Sequence, residues 1–216
     1  MTAKNWFFRL FFYVMSLLIL ALGITLNTKT GLGVSPIISV SYNISELFQL
    51  NFGNVTFVYY VLFVFAQLII RGKNRRWHDL LQIVVSMVFT RFLNLYNDYL
   101  PIHFEKLWQN VLLLILAVVL TGIGAALSVN MELVPNPGDG IVAALADFFH
   151  KDMGFMKNVF DISNVCFSLI LGFVFGRYFL GIGIGTVITM LGVGRVIAVF
   201  NHFCKKKMAQ LSGLEA

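Results

Sequence analysis

Residues 133–149, LVPNPGDGIVAALADFF, decide how this chain is read. Asn136-Pro137 pairs a helix-capping side chain with the residue best suited to a first helical turn. About 13 helical residues follow. At ~1.5 Å each they rise roughly 20 Å, short of the ~30 Å of a hydrocarbon core. The same device stands 101 positions earlier, where Ser35-Pro36 opens a helix-like run ending at Phe48. Paired short helices between long apolar runs predict a membrane protein with a passage or pocket at its centre.

The composition agrees with that solvent. Of 216 residues, 58% are hydrophobic and 12% charged, with a mean hydropathy of +0.82. Soluble domains carry about twice that charged fraction, so the chain's partner is the lipid bilayer and no sizeable water-soluble domain fits. The net charge of +6 comes from basic residues flanking apolar runs. That distribution is an orientation signal and argues against nucleic acid as a partner. Cys166 and Cys204 cannot form a disulfide framework. The N-terminal run resembles a signal peptide with Ala21-x-Gly23 as a cleavage site, but residues 6–26 are long enough to span, and Gly23 recurs as Gly124.

Six runs are long enough to cross: 6–26, 55–71, 80–97, 109–129, 158–176 and 180–201. A shift of 101 residues lays Gly23 on Gly124, Pro36 on Pro137, Glu46 on Asp147 and Gly53 on Gly154. Past the 71–79 loop a shift of 104 lays Arg91 on Arg195. Each half then reads as spanning helix, short helix and two spanning helices, over about 6–98 and 107–202, followed by a basic tail at 203–216. If neither short helix crosses and both termini are cytoplasmic, eleven basic residues lie inside and three outside. If both cross, the counts become eight and six. The positive-inside rule selects the first arrangement. Three crossings per half invert the second half relative to the first, a common transporter plan. The expected fold is therefore all-α and polytopic, with six transmembrane helices and two re-entrant half-helices in inverted repeats. Gly31 and Gly33 allow the turn before Pro36, which favours helix N-termini that point to the midplane.

No catalytic constellation stands out, so an enzyme is not expected. The four histidines are far apart and show no metal spacing, and neither a metal nor a cofactor is implied. The run Gly181-x-Gly183-x-Gly185, with Gly192 and Gly194, suits close helix packing rather than nucleotide binding. Candidate binding or pathway residues begin with Ser35, Pro36, Asn136 and Pro137 at the two short helices. Asp139 either binds a proton or cation at membrane depth or caps its own helix. Arg91 and Arg195 either gate an anionic solute or snorkel to headgroups, pairing locally with Asn94 and Asp98, or with His202. A polar stripe of Lys157, Asp161, Asn164 and Ser168 faces protein or water on the fifth span, with Thr56, Tyr60 and Gln67 as its counterpart. These could line a pathway or bond between helices.

The arginine-led first helix (Arg9, then Gly23-x-x-Leu26), Gly31-x-Gly33-x-Ser35-Pro36 and Pro135-Asn136-Pro137-Gly138-Asp139-Gly140 resemble the YitT/YczE-type bacterial integral membrane proteins. The resemblance covers most of the chain. It implies a multi-pass protein of the cytoplasmic membrane, from a group of largely unassigned function in which transport is suspected. Many YitT-type relatives carry a soluble C-terminal domain, which this chain is expected to lack. The leading expectation is a secondary transporter or exporter of a small organic solute, an anionic one being favoured by the half-helix dipoles and by the paired arginines Arg91 and Arg195. The alternative is a non-transporting membrane partner or scaffold for a biosynthetic or signalling protein. Association into a homo-oligomer stays open.

Overall fold

The computed structural model describes residues 3–214. Eight α-helices carry them: α1 (Ala3–Lys29), α2 (Pro36–Phe48), α3 (Phe52–Arg71), α4 (Leu81–Tyr99), α5 (Leu107–Asn130), α6 (Pro137–Phe149), α7 (Met153–Val174) and α8 (Ile184–Ser212). Two single 3-10 turns, Gly72–Asn74 and Trp77–Leu80, link α3 to α4. All but α2 and α6 are long and apolar enough to cross a bilayer. This is an all-helical membrane protein.

The long helices follow the apolar runs, with one departure. The run expected over 180–201 becomes a helix that starts later and ends later. Gly176, Phe179 and Gly181 adopt positive φ, so the chain turns there and helix begins only at Ile184. Residues 203–212, read from sequence as the start of a tail, continue α8. Met208, Ala209 and Ser212 are buried there, and the Ser212 hydroxyl reaches the Met131 sulfur at 3.4 Å.

Both short helices are bounded by the same chemistry. Pro36 and Pro137 occupy first-turn positions, where a missing N–H costs nothing. Each helix ends on a left-handed residue, Gln49 at φ 54° and His150 at φ 53°. Closing bonds also recur, from Leu50 N–H to Ser45 O at 2.9 Å and from Lys151 N–H to Ala146 O at 3.0 Å. The side chains of Asn51 and Asp152 then cap α3 and α7. Every one of these pairs is separated by 101 residues. The starts differ, because Asn136 Oδ1 accepts from Gly138 N–H at 2.9 Å whereas Ser35 makes no side-chain cap.

The most extensive helix contact joins α1 to α5. A Cβ on Gly23 would lie 2.6 Å from the Thr121 backbone nitrogen, and one on Gly124 would lie 2.6 Å from that of Leu20. Only glycine permits that approach. Since Leu20 meets Gly124 while Gly23 meets Thr121, the two helices cross antiparallel.

The short helices are buried between long ones. Along α2, Ser39 reaches Asn164 near the middle of α7, Asn43 reaches Ser168 and Phe48 stacks edge-on against Phe175 at its end. In the same sense, α6 has Asn136 beside Tyr60 in mid-α3 and its first turn against Gln67. At their N-terminal ends the two short helices touch, with Ile37 Cδ1 filling the space beside Gly138. Around this junction lies the principal core, including Ile38, Tyr60, Phe89, Leu93 and Met131.

Candidate functional site

The junction of the short helices is where the polar side chains converge. Asn136 begins α6, and its carbonyl accepts from Asp139 N–H at 3.0 Å and Gly140 N–H at 2.9 Å. Tyr60, 1% exposed, presents its hydroxyl to the Asn136 side chain and stacks its ring on Phe63 and Phe89. The Pro137 carbonyl accepts from Gln67 Nε2 at 3.3 Å. Gln67 and Gln82 exchange two amide hydrogen bonds, both 3.1 Å. Gln82 also donates to Asp79 Oδ1 at 3.4 Å, and Asp79 pairs with Arg71.

That chain explains Gly140. A Cβ there would lie 2.5 Å from Gln67 Oε1 and 2.9 Å from Gln82 Oε1. A buried amide left unpaired costs about 1–3 kcal/mol, so the two glutamines must meet and the helix must leave them room. The segment leading into α6 is held from the other side. Arg9 donates from Nε to Met131 O at 2.7 Å and from Nη2 to Glu132 O at 2.8 Å. The Tyr13 hydroxyl donates to Val134 O at 2.8 Å.

Asp139 is different in kind. Its carboxylate is half-buried and has no hydrogen bond or ion pair to any described residue. Its nearest charged neighbours are on α7, Lys157 and Asp161, which pair with one another at 3.2 Å. On the α2 side, Tyr59 donates to Asn164 Oδ1 at 2.6 Å and Thr56 meets Ser41 at 3.2 Å. Asn43 Oδ1 and Ser168 Oγ are buried without a described partner.

The structure thus gathers Ser35, Pro36, Tyr60, Gln67, Asn136, Pro137, Asp139, Asp161 and Asn164 around the junction or onto the helices that hold it. Arg91 and Arg195 are not gathered there. Both are exposed. Arg91 donates to Asn54 Oδ1 at 2.7 Å, not to Asn94 or Asp98, and Arg195 bonds to no described residue. The glycines of the α8 region do serve close packing. Gly183 and Gly185 sit against the Leu32 carbonyl and Gly192 against Val118, although Gly194 faces open space. The sequence pattern alone did not mark Gln82, Asp79, Arg71 or Tyr59 as site residues. An amide two residues into an apolar run was the available signal for Gln82. Among the described residues no three His, Cys, Asp or Glu side chains cluster to hold a metal.

A family described as "Family of unknown function (DUF6198)" matches residues 7–202. The chain belongs to this family. It is 24% identical over 202 residues to the uncharacterized protein YyaS of Bacillus subtilis, covering 90% of this chain and 96% of that one. An uncharacterized protein of Haemophilus influenzae is 27% identical over 188 residues, 86% of this chain and 79% of its own. The uncharacterized membrane protein YczE of Bacillus subtilis is 24% identical over 190 residues, 86% and 82% respectively. The YczE-type resemblance read from the glycine and proline motifs therefore holds. No solved structure matches the chain.

Proposed function

We propose that the protein is a secondary transporter or exporter of a small organic solute carrying an anionic group, and not an enzyme. The observation that carries this reading is the contact of Ile37 with Gly138, first turn against first turn, within a bundle of six apolar helices. On this reading α2 and α6 are re-entrant half-helices in two inverted repeats. The antiparallel α1–α5 crossing and the caps repeated at 101 residues support that plan. Two helix N-termini aimed at one place supply partial positive charge, which suits an anion. Basic residues in the 71–76 loop and at 205–207 favour cytoplasmic termini.

Asp139 is the coupling residue in this scheme. An ionisable group at membrane depth is costly, and one lacking a partner is kept for use. In proteoliposomes offered a panel of organic acids, the account expects saturable flux of at least one, faster with an imposed pH gradient. Asp139→Asn should keep the protein inserted and abolish the response to the gradient. Absence of flux for every solute from correctly folded protein would favour the scaffold reading instead.

A further inference from the structure

A second feature of the molecule points to a ligand away from the junction. An apolar groove of about 380 Å3 runs along the outer side of α3, between that helix and the end of α2. Its α3 wall is a single stripe at helical spacing: Asn51, Asn54, Val55, Val58, Tyr59 and Leu62. Eleven residues of helix give it a length of about 16 Å. The opposite wall is Ile44 and Leu50. Polarity is graded along it, with both amides at the α3 N-terminal end and Val58 and Leu62 deeper.

At the polar end stands Arg91. Its guanidinium is anchored by Asn54, is exposed, and has no acidic partner among the described residues. The first turn of α3 adds its partial positive charge to the same mouth. An engineered cavity of ~150 Å3 accepts a benzene ring, so this groove has room for on the order of a dozen hydrocarbon carbons. Apolar walls of that length under a cationic rim match one acyl tail joined to an anionic headgroup.

We propose that this groove is a binding site for an anionic lipid of the surrounding bilayer, one tail lying along Val55, Val58 and Leu62 and the headgroup held by Arg91 and Asn54. The preference for negative charge comes from Arg91, and the tail's seat from the α3 stripe. Tyr59, whose hydroxyl bonds Asn164 of α7, puts the occupied groove in contact with the helix pair that flanks the junction.

The test uses purified protein in phosphatidylcholine nanodiscs doped with phosphatidylglycerol or phosphatidylcholine bearing a photoreactive diazirine tail. Labelled peptides are mapped by mass spectrometry. The phosphatidylglycerol probe should label residues 55–62 at least fivefold more than the phosphatidylcholine probe. Arg91→Gln should bring the two to parity and Arg91→Lys should retain the preference. Val58→Trp, at an exposed position, should suppress labelling by both without disturbing the fold. Equal labelling in the wild type, or a preference that survives Arg91→Gln, overturns the proposal. Stronger labelling by a diazirine fatty acid than by phosphatidylglycerol also overturns it, in favour of a free amphiphile. None of these outcomes depends on solute flux.

Discussion

The last two helices of each half make an instructive pair. α3 and α4 pack directly, whereas α7 and α8, their counterparts, barely touch. Arg91 reaches across from α4 to Asn54 on α3, while Arg195, 104 residues later, faces outward alone. Similar sequence patterns have built similar helices but not the same packing. The cause lies in the tethers. The 3-10 linker ties α3 to α4 through Arg71–Asp79 and Gln82–Gln67. No described counterpart links α7 to α8. α8 is drawn to α1 and α5 instead, through Thr189 with Asn27, Asn201 with Asn130, Gly185 N–H on Leu32 O and Ser212 on Met131.

This contrast can be broken at several points. The largest effect should come from Arg71→Ala, which strands the buried Asp79 carboxylate; loss of one partner of a buried pair costs about 3–5 kcal/mol. Denaturant unfolding in detergent should show α3–α4 loosening at much lower denaturant than wild type. Next, Gly124→Ala should cost about 1–3 kcal/mol by overpacking the α1–α5 crossing, while Gly194→Ala, with open space around it, should leave the melting temperature unchanged. Third, Asn136→Ala should cost ~1 kcal/mol through its lost cap, whereas Ser35→Ala should cost close to nothing, since Ser35 caps nothing.

Much of the fold could be read in the sequence because its signals are local. Proline after a capping residue marks a helix start wherever it falls, and apolar length marks a span. The recurrence of glycine at 101 positions was legible because Gly23 and Gly124 answer to one steric demand at one crossing. The polar stripes of α3 and α7 were legible too, since a 3.6-residue period does not depend on the partner. What stayed hidden was the choice of partner. Nothing local in Arg91 says that it reaches Asn54, 37 residues back, or that Gln82 completes a chain ending on the Pro137 carbonyl. The helical extension to Ser212 was masked by Lys205, Lys206 and Lys207, which read as tail until Met208 is buried in the core and Ser212 finds Met131. The separation of α7 from α8 depends on contacts made with other helices, and no pattern within either one records it.

The account stands on the meeting of the two short helices, and a paired-cysteine experiment tests it most directly. With Cys166 and Cys204 replaced by serine, Ile37→Cys and Gly138→Cys should form a disulfide under mild oxidation in the membrane. Substitution at 37 removes the methyl that a Cβ at 138 would strike, and the two Cβ atoms then fall near bonding range. The account predicts one cross-linked peptide joining the first turns of α2 and α6. Failure of that pair, in protein where Asn43→Cys and Ser168→Cys do cross-link, would contradict it.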